Sequence, residues 1–222
     1  TDRKMTITLT SEELELCNFL TLITQHLKES CPELPFVELR IAGGWVRDKL
    51  LGYECNDLDI AINSMMGCEF GEHVNNFLRL KGHATENIHK IESNPEKSKH
   101  LETATTKIFG YEIDFVNLRS EEYVEDSRIP NAYRRDITIN ALFYNIHTRQ
   151  VEDPTKKGIP DLKQGLIRTP LAPFETFNDD PLRVLRCIRF ASRFNFLIDE
   201  SILIAVKDER IKKVINTKVS RE

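Results

Sequence analysis

Residues 42–62 read Ala-Gly-Gly-Trp-Val-Arg-Asp-Lys-Leu-Leu-Gly-Tyr-Glu-Cys-Asn-Asp-Leu-Asp-Ile-Ala-Ile, an order that demands a turn, a short helix and a strand in quick succession. Just before it, Val37-Glu38-Leu39-Arg40-Ile41 alternates apolar and polar residues as a strand does and runs into Gly43-Gly44. Two glycines let the backbone reverse and approach another group closely. A helix can start there, with Trp45, Val46, Leu50 and Leu51 as its apolar side, Arg47 and Asp48 as its polar side, and Gly52 placed to end it in a left-handed conformation. Amides left free at such a start, together with the helix dipole, attract anions, so a phosphate is expected on the Gly43-Gly44 turn.

In the following strand Leu58, Ile60 and Ile62 alternate with Asp57, Asp59 and Ala61, and a period of two puts both aspartates on one face. Adjacent carboxylates repel unless a cation lies between them. Hard oxygen donors of this kind suit Mg²⁺, which keeps several waters and takes one or two protein carboxylates plus substrate phosphates. An Asp-x-Asp alone is more often the solvated face of an edge strand. The glycine turn shortly upstream brings a phosphate site and a metal site together, and that conjunction favours the metal reading.

The 222 residues suffice for one large domain or two small ones, and a chain of this size buries roughly 70% of its unfolded surface. Five cysteines, odd in number and without a Cys-x-x-Cys pair, imply neither a disulfide framework nor a zinc site and fit a reducing compartment. No apolar run approaches the roughly 20 residues of a membrane span, and no membrane association is expected. Thr1-Asp2-Arg3-Lys4 has the look of a trimmed terminus, compatible with a removed organelle-targeting leader. The net charge of −4 argues against whole-chain attraction to nucleic acid, but from residue 183 onward ten Lys and Arg stand against five Asp and Glu, a local excess of +5.

Thr10-Ser11-Glu12-Glu13 has capping-box spacing, and Leu16, Phe19, Leu20, Ile23 and Leu27 recur on one face of a helix reaching about Glu29. Residues 68–80 are expected as a second amphipathic helix, 87–99 as a polar loop, and 100–109 and 111–118 as a hairpin hinged at Gly110. Asp114 falls on the face opposite Ile113 and Phe115, where a third metal-site carboxylate would have to arise.

Arg134-Arg135-Asp136, followed by Asn140-Ala141, puts forked donors suited to phosphate beside an acid and an amide able to hold sugar hydroxyls. The plainer reading is a surface ion pair between Arg135 and Asp136. Further on, Asp153-Pro154 and Gly158-Ile159-Pro160-Asp161 lead through a turn and a short helix. Then Asp179-Asp180-Pro181-Leu182-Arg183 opens a long amphipathic helix, with Asp180 as N-cap and Leu182, Leu185, Ile188 (or Cys187), Phe190 and Phe194 inward. A composition change near Asp179 marks the one candidate domain boundary. A rigid Asp180 and Arg183 could substitute for a Watson–Crick partner, the acid accepting from the amino group of cytosine or adenine. Uracil and guanine present a carbonyl there, and each polar atom left unpaired costs roughly 1–3 kcal/mol.

Gly43-Gly44-Trp45-Val46-Arg47-Asp48 with Asp57-Leu58-Asp59, then Arg134-Arg135-Asp136 with Asn140-Ala141, then Asp179-Asp180-Pro181-Leu182-Arg183 resemble the successive motifs of the class II tRNA nucleotidyltransferases, the CCA-adding enzymes, and most closely their fungal members. The similarity covers nearly all of the chain after residue 35. It implies an α/β (α+β) nucleotidyltransferase head with a mixed five-stranded-type sheet over residues 1–178, and the start of an all-α neck and body over 179–222. It implies a two-metal Mg²⁺ site on Asp57 and Asp59 with Asp114 as third acid, and a triphosphate cradled by Gly43 and Gly44. Arg135, Asp136 and Asn140 would sit at ribose and phosphates, Arg47 and Arg186 belong to the nucleotide-binding set, and Asp180 and Arg183 match the base template. Asp153, Gly158 and Asp161 match a hinge-like motif. The implied reaction is addition of CMP and AMP from CTP and ATP to a tRNA 3′ end, with the cytoplasm as the expected compartment and the mitochondrion or nucleus as alternatives beside it.

Its rivals are a CC-only or A-only adding enzyme, a poly(A) polymerase of the same superfamily, and a catalytically silent nucleotide- or RNA-binding module. Two departures stand out. Family members carry a longer, acidic segment before Arg134-Arg135-Asp136, where here Arg128-Ile129-Pro130-Asn131 runs straight into Ala132, so either the chain is shortened there or a loop between Asn131 and Ala132 is missing from the numbering; and Val219-Ser220-Arg221-Glu222 resembles only the opening of the next motif, so most of the body and tail is expected to be absent.

Overall fold

The capping box at Thr10 starts helix α1 (Ser11–Ser30): Thr10 Oγ1 accepts from the Glu13 amide at 3.2 Å, and the Glu13 carboxylate accepts from the Thr10 amide at 2.8 Å. The computed structural model describes residues 5–92, 102–117 and 132–218. The junction around 128–131, the expected strand ends at 100, 101 and 118, and the last motif at 219–222 lie outside the described residues. The chain forms two compact units, one from residues 1–130 and 143–152, the other from 131–142 and 153–222. The expected boundary after residue 178 falls inside the helix Pro173–Asp179, within the second unit.

The first unit is a seven-stranded sheet in the order β3-β4-β5-β2-β1-β6-β7. Its strands are β1 (Leu39–Ala42), β2 (Asp57–Ile62), β3 (His89–Ile91), β4 (Thr103–Ile108), β5 (Tyr111–Asn117), β6 (Phe143–Asn145) and β7 (Gln150–Glu152). Only β2 and β5 pair in parallel, and the segment between them is long enough for the crossover such a pair requires. The sheet therefore has two strands more than the expected five. The extra pair consists of three-residue edge strands: β3 lies in what reads as polar loop, and β7 in a segment too short for a period of two to declare itself. The expected hairpin forms from β4 and β5, with Phe109 and Gly110 both at positive φ in its turn.

One face of the sheet is the core. Leu58, Ile60, Ile62, Ala104, Ile113 and Phe115 are buried on it, beneath α1, α2 (Gly44–Leu51) and α3 (Gly67–Leu80). Phe70 of α3 meets Phe115 edge-on at 5.1 Å, and Trp45 of α2 tilts against Tyr144 at 5.8 Å. The other face carries Asp57, Asp59, Glu112 and Asp114, and further along it Arg40 bridges Glu38 and Glu152 at 3.0 and 2.5 Å. All four residues of β1 are buried, Arg40 included, so the alternation in that strand separates an apolar core from an ion-paired face and not from water.

The second unit holds α4 (Gly158–Gln164), α5 (Pro173–Asp179), α6 (Leu182–Phe194), α7 (Glu200–Ala205) and α8 (Glu209–Lys218), with β8 (Leu166–Ile167) pairing in parallel with β9 (Leu197–Ile198). The inward face of α6 matches the expected one at Phe190 and at Cys187, the alternative to Ile188, and departs from it elsewhere. Arg183, Val184, Cys187 and Phe190 are buried, whereas Leu185 and Ile188 are 46% and 53% exposed. A polar side chain takes an inward position, so apolar periodicity alone sets the wrong phase.

Candidate active site

Ala42, the last residue of β1, pairs with Asp59, so Gly43 begins its turn at the carboxylate end of β2. Gly43 has φ 68° and ψ −122°, a region essentially closed to residues with a Cβ. Helix α2 starts there with no side-chain cap and no acid in its first turn, which leaves its leading amides to an anion. Gly52 ends it at φ 82°, as expected. Gly43→Ala should cost about 1–3 kcal/mol of stability from backbone strain alone. Denaturant unfolding measures it, and an unchanged midpoint would count against the strain.

Arg47 and Asp48, the expected polar side of α2, are both only 4% exposed. Arg47 Nε donates to Asp48 Oδ1 at 2.8 Å, and Arg47 Nη2 lies 3.4 Å from where a Cβ on Gly44 would stand. A buried guanidinium is thus folded back over the turn itself. Leu50 and Leu51, expected inward, are half-buried.

Asp57 and Asp59 share a face, and the parallel register sets Asp114 beside Asp59 and Glu112 beside Asp57. Asp57 is exposed, and Asp59 and Asp114 are half-buried. Asp114 Oδ1 accepts from Thr105 Oγ1 at 2.6 Å. Among the described residues no group of three or more His, Cys, Asp or Glu side chains is gathered tightly enough to hold a metal. The arrangement is an open pair of carboxylates with a neighbour, not a finished cage. It fits Mg²⁺ in donor chemistry, since that ion takes one or two protein carboxylates and draws the rest of its shell from water and phosphate. Cys55 lies among these groups: burial, then the carboxylates of Asp48 and Asp57, raise its thiol above the ordinary range against the opposing pull of the Asp57 backbone and Arg47.

In the second unit Asp136 is nearly sealed from solvent and fully engaged. Its Oδ1 accepts from the Ile137 amide at 2.9 Å and Asn140 Nδ2 at 3.0 Å, and its Oδ2 from Arg186 Nε at 2.7 Å. The expected surface pair with Arg135 is replaced by this one. Burial opposes the charge, but Arg186, Asn140 and the Ile137 amide outweigh it and hold the Asp136 carboxyl below the usual range. The unfolded chain therefore takes up the proton first as pH falls. Stability owed to Asp136 is complete above the ordinary aspartate range and is lost as pH drops through the depressed value. Asp136→Asn should flatten the loss of stability between about pH 5 and pH 3, read by urea unfolding across pH.

Asp180 begins the next constellation: its carboxylate accepts from the Leu182 amide at 3.1 Å, one residue out of step with a strict N-cap because α6 starts at Leu182. Arg183, 8% exposed, donates from Nη2 to the Arg134 carbonyl at 2.7 Å and from Nη1 to the Thr176 carbonyl at 3.3 Å, and it pairs with Asp179 at 3.2 Å. Arg183 and Arg186, three apart on α6, thus grip the segment that carries Asp136. Arg135 is half-buried and makes no ion pair among the described residues.

Asp153 caps α4, its two oxygens accepting from the Gly158 and Ile159 amides at 3.2 and 2.9 Å. A Cβ on Gly158 would stand 2.7 Å from the Thr138 carbonyl oxygen, so no side chain fits. Asp161, wholly buried, accepts from Thr138 Oγ1 at 2.5 Å and from both Nε and Nη2 of Arg168 at 3.1 and 2.6 Å. Sequence reasoning did not single out Thr105, Thr138 or Arg168, whose partners are set by strand register and tertiary folding.

The chain belongs to the poly A polymerase head domain family, whose model matches residues 39–168. It is 55% identical to the CCA tRNA nucleotidyltransferase, mitochondrial, of Saccharomyces cerevisiae over 97% of its own length and 42% of the relative's. Among solved structures it resembles a CCA-adding enzyme in complex with CTP, with TM-score 0.65 and 31% identity over 92% of this chain and 43% of that one. It also resembles a tRNA nucleotidyltransferase complexed with a primer tRNA and an incoming ATP analog, with TM-score 0.65 and 29% identity over 89% of this chain and 52% of that one. The resemblance and the head fold read from the motifs are borne out. The chain spans less than half the length of the yeast relative.

Proposed function

We propose that this chain is the catalytic portion of a CCA-adding tRNA nucleotidyltransferase, transferring CMP and then AMP from CTP and ATP to the 3′ end of tRNA. The observation that carries the reading is the register that sets Asp57, Asp59 and Asp114 on one sheet face at the end where Gly43 opens α2. Asp57 and Asp59 would hold Mg²⁺, with Asp114 as the third acid, and the bound ions would supply charge neutralisation at the reacting phosphate. The leading amides of α2, backed by the Arg47 guanidinium, receive the triphosphate.

Asp136, Asn140 and Arg135 serve ribose and phosphates in this reading, and Asp180 and Arg183 read the base. Asp153, Gly158 and Asp161 take the hinge role. Mitochondria are the proposed compartment, on the strength of the yeast relative's name, with cytoplasmic and nuclear pools as in the expectation from sequence.

The test is a tRNA ending at the discriminator base, supplied with Mg²⁺ and CTP alone, ATP alone, then both. Two additions with CTP and a third only when ATP is present support CCA addition. A stop at CC with both nucleotides, or a lone A on a CC-ended tRNA, assigns one half of the reaction. A ladder of A assigns poly(A) synthesis, and no pyrophosphate release assigns a silent binding module. In a competition of four NTPs, Arg183→Ala should relax base choice by about 10- to 100-fold while triphosphate affinity changes less. Unaltered base choice would remove Arg183 from the template.

A further inference from the structure

Asp114 stands between two strands with opposite demands. On one side β2 places Asp59 in register with it, a second negative charge on the same face. On the other side β4 places Thr105 directly across the antiparallel ladder, and the Thr105 hydroxyl donates to Asp114 Oδ1 at 2.6 Å. An ionised carboxylate only accepts, so the direction of this bond is not in doubt, and a hydroxyl-to-carboxylate bond this short belongs to the stronger class. Thr105 is β-branched on a strand, so its own rotamer is restricted before the bond forms. Oδ2 of Asp114 has no protein hydrogen bond among the described residues.

We infer that Thr105 is a positioning residue for the metal-binding face: it fixes the Asp114 carboxylate, withdraws part of the charge that Asp59 would otherwise repel, and leaves the second oxygen for a divalent cation. This rests on the metal reading of Asp57 and Asp59. The hydroxyl is the operative group and the methyl is incidental. Thr105→Ser should therefore behave like the parent, and Thr105→Val, which keeps shape and strand preference but donates nothing, should not.

Mn²⁺ binding followed by electron paramagnetic resonance on the chain without nucleotide tests the inference independently of catalysis. Thr105→Val should weaken binding about 5- to 10-fold, Thr105→Ser less than 2-fold, and Thr105→Val should add little once Asp114→Asn is present. Equal binding by the Val and Ser variants, or a full Thr105→Val effect in the Asp114→Asn background, overturns the role. If the Val variant does not fold, Thr105→Ala set against Thr105→Ser makes the same comparison. Asp57→Asn separates the two claims: if it abolishes Mn²⁺ binding while Thr105→Val leaves it intact, only the positioning role fails. If Asp57→Asn binds like the parent, the metal reading fails with it.

Discussion

Asp57→Ala is expected to lower nucleotide incorporation by about 10³-fold or more while leaving the protein folded. Asp57 is exposed at the first position of β2, makes no ion pair among the described residues, and projects on the face away from the buried Leu58 and Ile60. Its removal takes nothing from the core, and relief of repulsion between neighbouring carboxylates offsets any small loss, so stability should stay within about 0.5 kcal/mol. A primer-extension assay beside a thermal melt makes the comparison. An active variant, or an inactive one that has also lost its cooperative melt, would refute the assignment of Asp57 to chemistry.

The largest stability effect is expected at Asp161. Its carboxylate is wholly buried and holds Thr138 and both available edges of Arg168, so alanine leaves a hydroxyl and a guanidinium without their partner. Breaking a buried pair from one side costs about 3–5 kcal/mol, and because the Arg168 side chain keeps 33% of its exposure the lower end applies, about 3 kcal/mol. Asp161→Asn retains an acceptor and should lose less. Urea unfolding read from a probe in the second unit measures both. A loss under about 1 kcal/mol for alanine would mean that the cluster is solvated in solution.

The site's first half was legible because it is local. Gly43-Gly44 and Asp57-Leu58-Asp59 carry their geometry in glycine tolerance and a period of two, and the structure places them as those rules require. Asp114 was legible as to face but not as to neighbour, since nothing in a single strand says that β5 lies parallel to β2 in the register that aligns it with Asp59. In both halves the pattern misled wherever a charged group goes inward. Arg47, Asp48, Asp136 and Arg183 are buried because each has a partner brought from elsewhere in the chain or held in an unusual local pose, and hydrophobic patterning has no symbol for a paired charge. The phase of α6 went wrong for this reason, with Arg183 taking an inward position and Leu185 left outside.

The hairpin of β6 and β7 is assigned to the first unit although the residues on both its flanks belong to the second. Excision must respect that weave. A fragment ending at residue 130 would strip β1 of the partner that pairs Arg40 through Ala42, turning a central strand into an open border that invites pairing with another copy. A fragment that keeps the sheet whole therefore has to run through Glu152, and during synthesis the sheet is incomplete until Glu152 has left the ribosome, by which time residues 131–142 of the other unit are already in the growing chain.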